Sequence, residues 1–309
     1  CDDGNTTSGD GCSADCRTVE TDALCADAAT LALGASTPGD TTAGVDGLSS
    51  TCQAGLARAD LFAVAPPGRG RLRLHLTSPT SQTLSLRTSC VDAGSELACG
   101  GDFGSATDEE LVVQITDAAP APLTAMVSAM TVIDEGPYAL VAEFVPEQCG
   151  DGVIAGREVC DDGNAAADDG CSADCFAIEY AWHCANAPAL STSAAASGEL
   201  TGATALHGST CAFEEQPGIR PSRIYTYVAP AAGTLHLDLD DDTGLAILSV
   251  LDGCGAPGAA PELACRPAFL NGELDVPLAA GQEITALVTS YFLEDALGTY
   301  TLRATFSPQ

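Results

Sequence analysis

Residues 160–175 read CDDGNAAADDGCSADC, and residues 1–16 read CDDGNTTSGDGCSADC. Cysteine apart, neither stretch holds a hydrophobic side chain larger than alanine, so neither can fold by burying a core. The two match at Cys1/Cys160, Asp2/Asp161, Asp3/Asp162, Asn5/Asn164, Asp10/Asp169, Cys12/Cys171, Asp15/Asp174 and Cys16/Cys175, at a constant offset of 159. The offset persists at Cys25/Cys184 and Cys52/Cys211, then drifts to 164 at Cys90/Cys254 and 166 at Cys99/Cys265. A drift of this kind is what a surface loop gaining a few residues produces. The chain therefore reads as a tandem repeat, in which Cys149 alone among 15 cysteines lacks a counterpart.

Two repeats in 309 residues predict four modules. Cysteine-rich acidic motifs occupy 1–24, truncated at its start, and 148–183; larger modules at 25–147 and 184–309 are long enough to bury a core. Eleven arginines, with no lysine, face 43 acids, for a net charge of −32. Such a balance argues against nucleic acid or an anionic membrane surface as partner and makes divalent cations the natural counter-charge. The cysteines form no CxxC pairs of the zinc-ribbon kind and have aspartate between them, which points to disulfides in an oxidising compartment. The apolar run LTAMVSAMTVI, 123–133, is too short to span a bilayer. No signal-peptide pattern opens the chain, so a secreted protein would be represented here by a mature product or a slice of something longer.

After each acidic motif the pattern changes to short alternating runs bounded by Gly, Pro and Asp, the mark of antiparallel strands. In the first copy these are DLFAVAP, GRLRLHL, TLSLRTSC, ELVVQIT, PLTAMVSAM and PYALVAEF. IYTYVAP, GTLHLDL, LAILSVLDGC, ELDVPL, EITALVTSY and TYTLRATF follow in the same order in the second. Strands at roughly ten-residue spacing, with no long 3.6-period segment, predict an all-β fold. Each copy should be an antiparallel, jelly-roll-like β-sandwich with little helix. Cys90 and Cys99, like Cys254 and Cys265, flank a short Gly/Ala-rich loop between two strand-like runs, and the expected pairs are Cys90–Cys99 and Cys254–Cys265. Cys25–Cys52 and Cys184–Cys211 would then tie the entry to each sandwich, each closure being worth about 3 kcal/mol.

DDGN and DGCSADC set oxygen-bearing side chains at close spacing, broken by glycines, as calcium requires of a flexible loop. The spacing is not that of an EF-hand, because no terminal glutamate follows. Turn formation by Asp and Asn is the plainer reading of the same residues; crowded like charges in a tied loop favour a counter-ion.

The stretch CGDGVIAGREVCDDGNAAADDGCSADC, residues 149–175, resembles the myxobacterial cysteine-rich repeat, itself similar to the Notch-type repeats of pappalysins, in CGDG, E-x-CDDGN and DGCS-x-x-C. That resemblance implies secreted or surface proteins and a disulfide-stabilised calcium site. Carried over, the ligand candidates are Asp2, Asp3, Asn5, Asp10 and Asp15, with Asp161, Asp162, Asn164, Asp169 and Asp174 in the second copy. Pappalysin protease activity does not carry over, because HExxH is absent. The sandwiches resemble bacterial pre-peptidase C-terminal domains more loosely, through strand order and the closing GPYALVAEF and GTYTLRATF segments; such domains are non-catalytic appendages.

With the loop pairs assigned, Cys149, Cys160, Cys171 and Cys175 suffice for two bridges whose connectivity the sequence leaves open. The first motif keeps Cys1, Cys12 and Cys16, and the segment equivalent to 149–159 would precede Cys1. The expectation is an excerpt of a longer array, or an intermolecular disulfide joining copies end to end. His75, His183, His207 and His236 lack metal-ligand spacing, and there is no GxSxG elbow, P-loop or Rossmann fingerprint; no enzyme is predicted. Tyr180 and Trp182 are the candidate sugar-stacking residues, with burial at a module junction as the plainer reading. The run LDLDDDTG, 237–244, reads as a solvated strand end.

The reading is an extracellular structural or adhesive array, with calcium-loaded connectors and copies of itself as head-to-tail partners in a fibre or filament. The alternative is a carbohydrate- or protein-binding targeting module of a larger secreted hydrolase or receptor.

Overall fold

The computed structural model describes the chain except residues 1–5, 10, 11, 19, 46, 47, 53–56, 91, 102–106, 202, 213–219, 271 and 292–297. It is all-β, with 47% of the described residues in strands or bridges and 8% in helix. Two compact units form: residues Cys1–Gln148 with Val153–Glu158, and residues Cys149–Gly152 with Val159–Gln309.

In the first unit, a short helix α1 (Thr21–Ala26) precedes nine strands. These are β1 (Ala29–Thr30), β2 (Ser36–Asp40), β3 (Ala59–Val64), β4 (Gly70–Ser78), β5 (Gln82–Arg87), β6 (Glu96–Gly101), β7 (Thr107–Ile115), β8 (Leu123–Ala129) and β9 (Pro137–Pro146). They form a five-stranded sheet in the order β1-β3-β8-β5-β6 and a four-stranded sheet in the order β2-β9-β4-β7. Among the described strand pairs of this unit only β1–β3 is parallel, with one further parallel bridge between Leu33 and Ala142. Alternation in β4 turns Leu72, Leu74 and Leu76 inward, where they meet Leu84 and Leu86 of β5, Val127 of β8 and Leu140 of β9.

The second unit carries helix α2 (Tyr180–Asn186) and strands β10 (Ala196–Glu199), β11 (Ala205–His207), β12 (Arg220–Val228), β13 (Gly233–Asp241), β14 (Ala246–Asp252), β15 (Glu262–Pro267), β16 (Glu273–Leu278), β17 (Glu283–Ser290) and β18 (Thr299–Pro308). Its sheets run β11-β12-β17-β14-β15 and β10-β18-β13-β16. Leu235, Leu237 and Leu239 of β13 meet Leu248, Val250, Ala286, Val288 and Leu302 in its core.

All twelve strand-like runs are strands. The hairpin partners β6 and β15 lie inside what the sequence suggests are Gly/Ala-rich loops, and they overturn the cysteine pairing. In the β5–β6 ladder Cys99 stands opposite Ser85, five residues before Cys90. At ~3.3 Å per residue that is roughly 16 Å along the strand, well beyond disulfide reach. The same register sets Cys265 opposite Ser249, five residues before Cys254. Cys90–Cys99 and Cys254–Cys265 therefore do not form, nor do Cys25–Cys52 and Cys184–Cys211. The bonds are Cys25–Cys90 and Cys52–Cys99 in one unit, and Cys184–Cys254 and Cys211–Cys265 in the other. Each ties a helix or a covering segment to the five-stranded sheet.

The central strands of that sheet are buried on both faces. In the first unit Leu48 packs on Ala59 and Met126 of its outer side, while Arg87 donates to Ser49 O and Thr51 N donates to Glu96 Oε1 at 3.3 Å. In the second unit Leu206 covers Ile224 and Leu287, Ser209 Oγ lies 2.8 Å from Ser249 Oγ, and Thr210 N donates to Glu262 at 2.9 Å.

A tyrosine lies over a glycine at the edge of each four-stranded sheet. Gly39 is the register partner of Tyr138, and Gly198 of Tyr300. A Cβ at either glycine would fall 2.2 Å or 2.4 Å from the tyrosine's ring or hydroxyl atoms. Tyr138 donates to Asp60 at 2.7 Å, and the Tyr300 hydroxyl lies 2.7 Å from that of Tyr225.

Two expectations follow. Gly39→Ala or Gly198→Ala should lower stability by about 1–3 kcal/mol by displacing a packed ring, measured by denaturant unfolding of the oxidised chain. Peptide mapping without reduction should recover Cys25 joined to Cys90 and Cys184 joined to Cys254. Replacing both members of one such pair by serine should cost about 4 kcal/mol in the chain-entropy account.

Candidate metal site

Between Cys160 and Cys175 the backbone has no apolar side chain larger than alanine to organise it, and two disulfides do so instead: Cys149–Cys175 and Cys160–Cys171. Cys160, Cys171 and Cys175 form a small buried sulfur cluster against Ile178. Cys175 takes a left-handed conformation, φ 58°, at the end of a turn in which its N–H donates to Ser172 O at 2.8 Å.

Asp161 is the anchor of this motif. Its Oδ2 accepts from the N–H groups of Gly150 at 2.8 Å and Asp151 at 3.2 Å. Oδ1 accepts from Gly152 at 3.0 Å and Gly163 at 2.8 Å. Gly150, Gly152 and Gly163 all have φ between 82° and 93°, a region open to glycine, which lets successive N–H groups converge on one anion. CGDG and CDDG are thus the two halves of an anion nest whose anion is an internal carboxylate. Partial burial works against the charge, yet the four N–H donors outweigh it and hold the carboxyl below the usual range. A carboxylate offers about four lone-pair sites, and here all are taken. Asp161, expected as a metal ligand, is spent on the backbone.

Asp174 is likewise engaged. It accepts from Ser172 Oγ at 2.7 Å and from Phe176 N at 3.3 Å, which lowers its pKa. Asp15 repeats the turn, accepting from Ser13 Oγ at 2.7 Å and from Arg17 N at 3.4 Å. Asp2, Asp3, Asn5 and Asp10 lie outside the described residues. Cys12 of that first motif is disulfide-bonded.

Asp162, Asn164 and Asp169 remain, and the structure brings them together. Asn164 Nδ2 donates to Asp169 Oδ2 at 3.0 Å, and Asn164 N donates to Asp162 Oδ1 at 3.3 Å. Asp169 Oδ1 is shielded from water and accepts no hydrogen bond. Desolvation, then the neighbouring Asp169 carboxylate, push the Asp162 pKa up. Two facing carboxylates with an amide between them are a donor set suited to a hard cation. A cation would relieve the repulsion that raises Asp162.

Glu179, which the ligand reading passes over, closes the loop from the other side. Its carboxylate is held below its usual pKa by backbone N–H groups, Asp168 first and then Gly170, and Gly170 N lies 3.2 Å from Oε2. Glu20 takes the same place in the first copy, accepting from Gly9 N. The repeat itself carries the signal, since Glu20 and Glu179 match at the offset of 159.

Tyr180 and Trp182, the candidate stacking residues, sit on α2. The Tyr180 hydroxyl donates to Leu206 O at 3.1 Å, and its ring meets His207 edge-on at 5.7 Å. It packs within the unit, and burial raises its pKa. Trp182 keeps 37% of its surface exposed. The four histidines serve separate roles: His75 and His236 face Asp108 and Asp275 on sheet surfaces, and His183 and His207 are depressed by burial.

A family model described as a domain of unknown function, DUF4215, matches residues 145–176, the connector just described with a few flanking residues. No curated protein matches the chain. Among solved structures, the chain is similar to a pre-peptidase C-terminal domain of a collagenase from Bacillus anthracis at 14% identity and a TM-score of 0.26, covering 38% of this chain and 95% of that one. A periplasmic inhibitor of g-type lysozyme from Aeromonas hydrophila is similar at 16% identity and a TM-score of 0.29, over 39% of this chain and 95% of that one. The tandem CBM51 modules of a family 98 glycoside hydrolase from Streptococcus pneumoniae are similar at 10% identity and a TM-score of 0.23, over 82% and 81%. Likenesses this loose carry neither activity nor ligand across.

The two kinds of aspartate should titrate oppositely. Asp161, with a lowered folded pKa, contributes stability that is complete above its unfolded value of about 3.9 and is lost as pH falls below it. Asp162, with a raised folded pKa, costs stability at neutral pH, and that cost is relieved as pH falls through the folded value. Asp161→Ala should therefore destabilise the connector by about 2–3 kcal/mol, while Asp162→Ala without calcium should be neutral or stabilising. Amide hydrogen exchange at Gly150, Gly152 and Gly163 measures both.

Proposed function

We propose that this chain is a non-catalytic extracellular protein, structural or adhesive in role. In this reading β-sandwiches alternate with disulfide-closed acidic connectors that take up calcium, and copies join head to tail in a surface fibre or filament. One observation carries the reading. Most of the described acidic and cysteine residues that recur between the copies are spent on holding the backbone: two equivalent disulfides in each sandwich, the aspartate turns at Asp15 and Asp174, and the Glu20 and Glu179 anchors. Six disulfides among the described residues favour an oxidising, extracellular setting. No described helix is long and apolar enough to cross a membrane.

Calcium enters through Asp162, Asn164 and Asp169. A net charge of −32 opposes close association of copies, and bound cations would lower that cost. The resemblance of the connector to myxobacterial cysteine-rich repeats points to the same class of surface protein.

Two measurements test the reading. Calorimetric titration with calcium should show saturable binding that Asp162→Asn together with Asp169→Asn removes, and a titration without heat or saturation would dismiss calcium. Electron microscopy of native material under non-reducing conditions should show regular fibres in calcium that fragment on chelation. Dispersed particles in both conditions would sink the fibre.

A further inference from the structure

Gly170 directly follows Asp169, and helix α2 holds it on two sides. Glu179 N donates to Gly170 O at 3.0 Å, and in return the Glu179 carboxylate accepts from the N–H groups of Asp168 and Gly170. One turn further along α2, His183 Nε2 lies 3.1 Å from the same Gly170 O. A carbonyl oxygen only accepts, so Nε2 carries the proton and donates. Burial depresses the pKa of this ring, against the pull of Gly170 O, Asp162 and Glu179, so the donor is a neutral imidazole within electrostatic reach of Asp162. Gly170 itself is buried, with φ 129°. A Cβ there would fall 3.2 Å from His183 Cε1 and Nε2 and 3.3 Å from Trp182 Cε3, and the two rings meet edge to face at 5.2 Å. Glycine is what allows both rings to close on the loop.

The repeat separates this ring brace from the carboxylate clasp. Glu20 holds Gly9 N as Glu179 holds Asp168 N, and both residue pairs match at the offset of 159. At the same offset the first copy has Ala23 for Trp182 and Leu24 for His183. The clasp is common to the two connectors, whereas the rings belong to the second. Asp162 and Asp169 repel each other until a cation joins them, so the 168–170 turn must be held if the two carboxylates are to stay opposed. Groups that orient metal ligands raise affinity by ordering those ligands beforehand.

We propose that His183 is a positioning residue for the cation site: its bond to Gly170 O keeps Asp169 opposed to Asp162 before a cation arrives. This role rests on the calcium reading of Asp162, Asn164 and Asp169. Trp182 is the one tryptophan of the chain and lies against Gly170, which makes it a built-in sensitiser for terbium(III) bound beside it. The test is terbium luminescence excited through Trp182 in the full oxidised chain, followed by displacement with calcium to obtain the calcium affinity. Asp162→Asn together with Asp169→Asn sets the baseline. His183→Leu should weaken both ions about tenfold; the same motif folds with Leu24 at this place in the first copy. His183→Gln, which keeps a side-chain N–H donor, should restore most of the affinity. Parent emission no greater than the baseline would dismiss the cation and this role with it. Saturable binding that His183→Leu leaves unchanged would overturn the positioning role alone, as would a weakening that His183→Gln does not restore.

Discussion

Each five-stranded sheet has a second face that no other sheet covers, and the burial of that face is the constraint on which the rest of the structure depends. Segments with little regular structure lie over it, and Leu48 and, in the short strand β11, Leu206 are the anchors they offer. Two hydrophobic side chains cannot offset the backbone entropy of ordering segments several residues long. Disulfides supply the difference. Cys52–Cys99 and Cys211–Cys265 pin the covering segment to the edge strand, and Cys25–Cys90 and Cys184–Cys254 pin the helix to the end of β5 or β14. The inner sandwich folds on alternating leucines. The outer layer holds by covalent staples and by side-chain bonds such as those to Glu96 and Glu262.

This division explains what the sequence made legible. Strands that face the sandwich interior announce themselves by alternation, as in GRLRLHL and GTLHLDL. β6 and β15 read ELACGG and ELACRP, and they sit at the sheet edge, where one flank is unpaired and small residues suffice. Without those strands the nearest cysteines in sequence look like natural partners. With them, the ladder carries Cys99 and Cys265 away from Cys90 and Cys254, and the bonds become long-range. A disulfide pattern is thus a consequence of register, which sequence spacing does not contain.

The connector was legible in a different sense. The acidic, glycine-rich composition implied an electrostatic problem, and the structure divides the solution between two chemistries. Asp161 and Glu179 are answered by peptide N–H groups, Asp174 by a serine hydroxyl and a peptide N–H, and Asp162 and Asp169, among the described residues, by Asn164. Residue type alone cannot separate these roles, because a carboxylate that wraps a loop and one that awaits a cation are both flanked by glycine. What separates them is the direction of the N–H groups, set at Gly150, Gly152 and Gly163 by positive φ.

The same logic bears on how the two units came to differ. A staple that fixes the helix and the covering segment covalently frees the side chains between them from holding that layer together. At such positions substitutions are limited by space and charge only. At the offset of 159 Ala23 stands where the second unit has Trp182, which lines a cleft beside β12. The tyrosine over Gly39 or Gly198, the sheet order and the long-range disulfides are common to both. The partner of that tyrosine differs, Asp60 in one unit and Tyr225 in the other, so the copies keep the packing of the ring while changing what its hydroxyl meets.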